Sequence, residues 1–143
     1  MVSGKMFAPG VPSPEADGIS LSVFGKIGAD ALSPAEKASL WRGVIYDDGD
    51  KPVASGDIWY DGDFVIGSLC VLKTERRKGY GDLLVRLLLY KAQTHFAKKV
   101  RLDATPETVS FFARYGFCAT SGTQMEIEGS KIELDGCKGC SAC

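Results

Sequence analysis

The chain lacks the long apolar runs, the excess of one charge and the histidines that mark several classes of protein. No apolar run approaches the roughly 20 residues of a membrane span, so no membrane partner is expected. The 17 Lys and Arg residues nearly balance the 18 Asp and Glu residues, and this balance does not favour a nucleic-acid partner. The single histidine, His95, lies near the end of a helical pattern beside Lys98 and Lys99. That position is typical of a surface helix terminus rather than of a catalyst.

The cysteines indicate a reducing compartment. The chain has five of them, an odd number, and its N-terminus does not show the charged-then-apolar pattern of a signal peptide. Together these features favour reduced thiols, and hence a cytoplasmic protein, over a disulfide framework.

The length of 143 residues predicts one domain with a substantial core. Residues 1–18 contain three prolines and three glycines and are predicted to form an irregular N-terminal arm. Residues 19–134 are predicted to form the domain itself, and residues 135–143 a cysteine-rich C-terminal tail.

Strand patterns dominate the first half of the domain. Apolar runs separated by turn residues predict an antiparallel meander of three strands, at 41–46, 53–60 and 64–72. The third run is almost continuously apolar, as expected for a strand that is buried on both faces. Upstream, Ser33-Pro34-Ala35-Glu36 predicts the start of a helix, and the apolar run 19–27 fits either a short helix or a strand.

Helices and strands alternate in the second half. Leucines recurring on one helical face predict a helix over 82–96. Pro106 at a first helical position predicts a second helix that runs to Tyr115 and is capped by Thr105. Short apolar runs predict further strands at 100–104, 117–120, 123–127 and 131–134.

A basic glycine turn joins the third strand to the leucine-rich helix. Its sequence is Arg76-Arg77-Lys78-Gly79-Tyr80-Gly81. Glycine lets backbone N–H groups approach an anion without a Cβ in the way. The following helix N-terminus adds unpaired N–H groups and the positive end of the helix dipole. With three basic side chains beside it, the turn is predicted to bind a phosphate-bearing ligand, and the pattern favours a pyrophosphate.

These residues resemble the GNAT superfamily of acyl-CoA N-acyltransferases, in which a buried strand precedes Gln/Arg-x-x-Gly-x-Gly/Ala and a helix. Arg76, Gly79 and Gly81 match that pattern. The family commonly shows a later helix that ends in Phe-Tyr-x-x-x-Gly-Phe, and residues 111–117 match it with Phe112 in place of Tyr. The resemblance covers about residues 41–127 and carries both motifs in the family's order.

The resemblance implies an α/β (α+β) fold with a mixed, mostly antiparallel central sheet flanked by helices. A V-shaped splay is expected between two parallel strands, with a bulge in the strand 64–72. Acetyl-CoA is the implied cosubstrate, with its pyrophosphate on the backbone N–H groups of 77–82 and its pantetheine arm near Leu69 to Val71. The residues expected to bind it are Leu69, Cys70, Val71, Arg76, Arg77, Lys78, Gly79, Tyr80, Gly81, Asp82, Thr105 and Phe112.

In this family a neutral amine attacks the thioester directly, and the resemblance assigns the oxyanion contact to the Val71 N–H. The family often has a tyrosine acid where this chain has Phe112, which cannot donate a proton. Tyr115, Ser110 or a water is the candidate replacement, unless the thiolate leaves without help.

The general base is not marked by a motif. Asp57 is the leading candidate because its strand is expected to line the acceptor side. Glu107, at the start of the second helix, ranks below it, and Asp63 fits turn chemistry better.

The C-terminal cysteines form a separate pattern. Cys137, Cys140 and Cys143 have the Cys-x-x-Cys spacing that suits zinc. A closed tetrahedral site needs four ligands, so Cys118, a carboxylate or a partner subunit would have to complete it. The alternatives are a tail of readily oxidised thiols or a tail without a role.

The leading hypothesis is an acetyl-CoA-dependent N-acetyltransferase that acts on a small-molecule or protein amine in a ternary complex. Two alternatives stay open at this point. One is an acyl-CoA-binding regulatory domain with weak or lost turnover, and the other is a metal- or redox-sensing protein that uses the cysteine tail. Because the family often pairs through strand edges, a homodimer is also an expectation.

Overall fold

A computed structural model of the protein describes residues 1–134. Seven strands form one sheet in the order β1-β2-β3-β4-β5-β7-β6. The strands are β1 Ser3–Phe7, β2 Trp41–Tyr46, β3 Pro52–Asp61, β4 Asp63–Val71, β5 Lys99–Asp103, β6 Cys118–Ser121 and β7 Gln124–Glu128. The helices are α1 Pro14–Phe24, α2 Pro34–Lys37, α3 Tyr80–Thr94 and α4 Val109–Ala113, and short 3₁₀ turns cover Gly28–Ala31, Lys73–Glu75 and Gly129–Lys131.

The predicted fold class is confirmed. Within residues 1–134, neighbouring strands are antiparallel except for β4 and β5, which are parallel and joined through α3. The meander β2-β3-β4 and the unit β4-α3-β5 lie within two residues of their predicted bounds.

The two faces of the sheet are covered by different helices. Neighbouring residues of a strand point to opposite faces: Ile45 packs in the cluster that contains Leu84 and Leu88 of α3. Val44 packs with Ala16 and Ile19 of α1. Helices α1 and α3 therefore lie on opposite sides of the sheet.

The prediction of an irregular arm over residues 1–18 is wrong. Residues Ser3–Phe7 pair with β2 as an edge strand, and α1 begins at Pro14. Ser13 is the N-cap of this helix, and its side chain accepts a hydrogen bond from the Ala16 N–H at 3.3 Å. A Ser-Pro pair thus starts α1 in the same way as Ser33 and Pro34 start α2.

Two predictions near the C-terminal half are also corrected. The second helix begins at Val109 with Thr108 as N-cap, instead of at Pro106 with Thr105 as cap. The chain first makes a turn, in which the Thr105 carbonyl accepts from the Thr108 N–H at 2.9 Å and the Thr108 hydroxyl accepts from the Thr105 N–H at 2.9 Å. The predicted strand 131–134 is absent from the described residues, where a 3₁₀ turn precedes irregular chain.

Candidate active site

Strands β4 and β5 part after three residue pairs. Their pairing runs from Phe64 opposite Val100 to Ile66 opposite Leu102, whereas β4 continues to Val71. Beyond Ile66 the side of β4 that faces β5 is therefore not covered by β5. This is the V-shaped splay expected from the resemblance.

A bulge lies in β4 directly after this point. Ser55 of β3 is opposite Cys70, but Asp57 is opposite Gly67. Two residues of β4, Ser68 and Leu69, thus face a single residue of β3, and Ser68 has a φ of +52°. A bulge of this kind bends the strand and redirects its side chains.

Beyond the bulge, the backbone of Val71 faces the opening. The Leu72 N–H donates to the Val53 carbonyl of β3 at 2.9 Å. Because neighbouring residues alternate in the direction of their backbone groups, the N–H and C=O of Val71 point away from β3. The Val71 carbonyl accepts a hydrogen bond from Arg76 Nε at 3.3 Å, which ties this strand end to the basic turn.

Helix α3 begins at the mouth of the same opening. Its N-cap is Gly79, with a φ of +84°, and no side chain caps it. The first N–H groups of a helix have no partner inside the helix, so those of Tyr80, Gly81 and Asp82 are free to bind an anion. A Cβ on Gly79 would meet no atom within 4 Å, so the space beside this turn is open.

Of the charged side chains around the start of α3, some line the opening and others are paired with a neighbouring side chain. Arg76 and Arg77 line the opening, whereas Lys78 pairs with Glu75 at 3.0 Å and does not line it. Asp82 brings a negative charge to the first turn of α3, but Arg86 pairs with it at 3.1 Å and the Tyr115 hydroxyl also donates to it. These two contacts reduce the repulsion that Asp82 would exert on a bound phosphate.

The opening is a cleft of about 1020 Å³. It brings together most of the residues that were expected to bind the cofactor. These are Leu69, Cys70, Val71, Arg76, Arg77, Gly79, Tyr80, Gly81, Asp82, Thr105 and Phe112. Lys78, Asp57 and Tyr115 are not among the lining residues.

Asp57 lies in a buried ion-pair network instead. It is 2% exposed, and its Oδ1 is 3.2 Å from Arg42 Nε. Arg42 also pairs with Asp17 of α1 at 2.5 Å. Burial raises the pKa of Asp57 to about 6, and the guanidinium of Arg42 opposes part of that rise. The geometry favours a structural role in holding α1 against the sheet.

Tyr115 does not line the cleft, and its hydroxyl is engaged by a residue that does. Its hydroxyl donates to Asp82 Oδ1, and burial, followed by the contact with Asp82, raises its pKa well above the usual range. Its proton is therefore directed at the Asp82 carboxylate rather than at the expected position of the thiolate.

Phe112 is 6% exposed and meets Phe111 and Phe117 edge to face, at centroid distances of 5.1 and 5.9 Å. Cys70 is 5% exposed and packs with Phe7 and Val44, and burial raises the pKa of its thiol. Both side chains contribute packing at the wall of the cleft, and neither geometry favours a catalytic role.

Comparison with known proteins decides the family. A family model described as an acetyltransferase (GNAT) domain matches residues 12–132. The chain belongs to the GNAT acetyltransferase family.

Individual relatives agree with this assignment. An uncharacterized N-acetyltransferase of Bacillus subtilis, YjcF, is 34% identical over 76 residues, which are 52% of this GNAT chain and 53% of the relative. The matched stretch thus spans about half the length of that curated relative.

Two solved structures show the same fold. An acyl-CoA N-acyltransferase from Pseudomonas aeruginosa has a TM-score of 0.67 and 16% identity, over 88% of this chain and 97% of that one. A GNAT family acetyltransferase from Elizabethkingia anophelis, with acetyl-CoA bound, has a TM-score of 0.66 and 16% identity, over 84% and 78% of the two chains.

Several cleft residues of this GNAT domain were missed at the level of sequence. Val23 and Phe24 at the end of α1, Ser68 in the bulge and Asp103 at the end of β5 all line the cleft. Asp103 could have been found from the alternation of β5, because Val100 and Leu102 read as core residues and Asp103 follows them on the other face. The other three depend on how distant segments meet.

Neither a metal centre nor a membrane span is found where the structure describes this GNAT chain. Residues 1–134 contain no group of three or more metal-ligating side chains, and none of their helices has the length and apolarity to cross a membrane. The cysteines predicted to hold zinc, Cys137, Cys140 and Cys143, lie outside the described residues.

Proposed function

We propose that this domain transfers an acetyl group from acetyl-CoA to a primary amine by direct attack within a ternary complex. One observation carries the proposal: the uncapped N-terminus of α3 opens into the same cleft as the unpaired side of β4. The first feature suits a pyrophosphate, and the second suits an extended amide chain that can pair with a strand.

The cofactor would lie along this cleft from the basic turn to the bulge. Backbone N–H groups of 77–82 bind the pyrophosphate, and Arg76 and Arg77 supply charge beside it. The pantetheine arm runs along Leu69 to Val71, opposite Thr105 and Phe112. Family membership and the fold shared with an acetyl-CoA-bound relative support this placement.

The reaction itself needs positioning more than it needs special side chains. The ammonium form of the acceptor loses one proton to solvent, and the neutral amine nitrogen then forms a C–N bond with the thioester carbonyl carbon. The Val71 N–H stabilises the oxyanion, the C–S bond breaks with its electron pair on sulfur, and the second nitrogen proton ends on that thiolate. Holding the two reactants in line lowers the barrier by ~7–11 kcal/mol.

Acid and base assistance by Asp57 and Tyr115 stays a prediction that the geometry does not favour. Neither side chain lines the cleft, whereas Glu107, the second-ranked base candidate, does. Phe112 has no proton to give. We propose that water carries the protons between the amine, solvent and the thiolate, and that the thiolate leaves without a side-chain acid.

We also propose an acceptor class, a compartment and an oligomeric state for this domain. The acceptor is a small-molecule or protein amine, the protein acts in the cytoplasm, and two copies pair through an edge strand of the sheet. Size-exclusion chromatography with light scattering tests the last part, for which a mass of two chains is expected and a mass of one chain would be contrary.

The test of the function is a CoA-release assay with acetyl-CoA and a panel of amines. Thiol release that requires both the protein and an amine is expected. Acetyl-CoA binding without release to any amine would contradict the transferase and favour an acyl-CoA-binding regulatory domain, a role that suits the absence of Asp57 and Tyr115 from the cleft lining.

A further inference from the structure

The cleft passes through the sheet from one face to the other. On the α3 face it is lined by Tyr80, Gly81 and Phe111, and at its other end it is lined by Val23 and Phe24 of α1. Because α1 and α3 lie on opposite sides of the sheet, these two ends are different surfaces. If the cofactor enters beside α3, its partner in the reaction must approach beside α1.

The end beside α1 has an apolar wall. Phe24 is 46% exposed although it lines the cleft, so much of its ring is available for contact. Val23 lies next to it and packs against the cluster that contains Ala16 and Ile19 of α1. Helix α1 stops here because Gly25 adopts a φ of +73° and returns its N–H to the Leu21 carbonyl.

This wall is held in place by a buried hydroxyl and by a close backbone approach. Ser20 is 2% exposed; its hydroxyl accepts from the Gly28 N–H at 3.2 Å and donates to the Lys26 carbonyl at 2.8 Å. A Cβ on Gly28 would lie 2.0 Å from Ser68 Oγ, so the loop after α1 rests directly on the bulge of β4. The wall and the expected thioester position are thus fixed relative to each other.

A carboxylate faces this wall from the neighbouring strand. Val100 and Leu102 of β5 pack in the cluster that contains Leu84 and Leu88 of α3. The alternate residues of β5, which include Asp103, therefore point to the opposite face of the sheet, which carries α1. Asp103 lines the cleft, and its Oδ1 accepts from the Thr123 hydroxyl at 2.8 Å. That hydrogen bond orients the carboxylate and leaves its second oxygen for another donor.

The basic residues of the same strand do not neutralise Asp103. Arg101 lies 3.4 Å from a carboxylate oxygen of Asp61, and Lys99 lies 2.8 Å from one of Glu126. The charge of Asp103 is thus available to a cation that enters the cleft.

We propose that the end of the cleft beside α1 selects a primary amine with an apolar body, whose ammonium pairs with Asp103 and whose carbon skeleton packs on Phe24 and Val23. This inference rests on the proposed function. It names the acceptor class, which the family assignment leaves open.

The test compares two acceptors, phenethylamine and ethanolamine, in the CoA-release assay. The wild-type protein is expected to show a higher kcat/KM for phenethylamine. Asp103→Asn should raise the KM for phenethylamine by about 10- to 100-fold, since a hydrogen bond to a charged group is lost, with the KM for acetyl-CoA unchanged. Asp103→Glu should recover part of this loss, and Asp30→Asn, which changes an exposed carboxylate outside the cleft, is the matched control.

The apolar contact has its own variant. Phe24→Ala should lower the preference for phenethylamine over ethanolamine roughly tenfold, because the aromatic contact is lost for only one of the two amines. Circular dichroism of each variant checks that it folds, and Phe24→Leu, which keeps an apolar side chain, should recover part of the preference.

The outcomes separate this inference from the proposed function. Transfer to ethanolamine at a kcat/KM equal to or above that for phenethylamine would overturn the inference and leave the transferase intact. An equal KM for phenethylamine in wild type and Asp103→Asn would do the same. If neither these two amines nor the wider panel supports CoA release, the proposed function fails, and the inference fails with it.

Discussion

Arg42 lies between two carboxylates, and replacing it with methionine tests whether Asp57 is a structural residue. The guanidinium contacts Asp57 at 3.2 Å and Asp17 at 2.5 Å, and the Asp57 side chain is only 3% exposed. Removing one partner of a buried pair typically costs ~3–5 kcal/mol, because the other charge is left without compensation. For a domain of this size, such a loss lowers Tm by about 10–15 °C.

The loss should depend on pH in a defined direction. Asp57 has a folded pKa of about 6 against an ordinary value of 3.8. Between these values the folded state binds more protons than the unfolded state, so the contribution of Asp57 to stability falls as the pH rises. Without Arg42 the folded pKa rises further, and Arg42→Met should therefore lose more stability at pH 8 than at pH 5.

Urea denaturation at the two pH values measures this difference. Asp57→Asn is the paired variant: it removes the buried charge, should restore most of the stability of Arg42→Met at pH 8, and should by itself leave kcat close to that of the wild type. Equal losses at both pH values, or a double variant as unstable as Arg42→Met, would refute the reasoning. A fall in kcat of ~10²-fold or more in Asp57→Asn would instead mark this residue as the general base.

Substitutions at four further positions test the basic turn, the backbone packing and the acid. Arg77 has a φ of +66°, so Arg77→Gly should raise the free energy of unfolding, measured by urea denaturation, by about 1 kcal/mol. The same variant should weaken acetyl-CoA binding, measured by calorimetry, because a positive charge is lost. An unchanged affinity would show that Arg77 does not contact the cofactor. A Cβ on Gly129 would lie 1.7 Å from the Ala97 carbonyl oxygen, so Gly129→Ala should lower the free energy of unfolding by roughly 1–3 kcal/mol. Gly18 has open space in α1, so Gly18→Ala should raise the free energy of unfolding by roughly 0.5–1 kcal/mol. Thermal melts in which Gly129→Ala is the more stable variant would contradict the packing. Phe112→Tyr should leave kcat within a few-fold of the wild type, and a rise approaching the ~10²–10⁴-fold worth of a general acid would show that thiolate departure limits the reaction.

Local sequence patterns predict most of the fold. The apolar runs of β2, β3 and β4, with turn residues between them, were enough to predict the meander, and the leucine repeat was enough to predict α3. Sequence alone leaves the run 19–27 open between helix and strand, and it does not predict the start of α1 because prolines are also frequent in irregular chain. Ser13-Pro14 has the same capping pattern as Ser33-Pro34, which predicts the start of α2.

The cofactor side of the candidate site was predictable because it is continuous in sequence. The end of β4, the glycine turn and the first turn of α3 follow one another, so a motif can describe them. The acceptor side is assembled from α1, the bulge and the end of β5. No local pattern reveals that Phe24 and Asp103 line one cleft, or that Arg42 joins Asp57 to Asp17.

The backbone amides at the start of α3 are expected to bind acetyl-CoA, and the proposed function requires this. Isothermal titration calorimetry of the wild type, Gly79→Ala and Gly79→Glu tests this directly, since both variants impose a side chain on the same φ of +84° and only one adds a negative charge. Wild type and Gly79→Ala are expected to bind acetyl-CoA, with Gly79→Glu weaker than Gly79→Ala by about 100-fold or more, because a like charge faces the pyrophosphate. Equal affinities of the two variants, or no binding by the wild type at millimolar acetyl-CoA, would contradict the account.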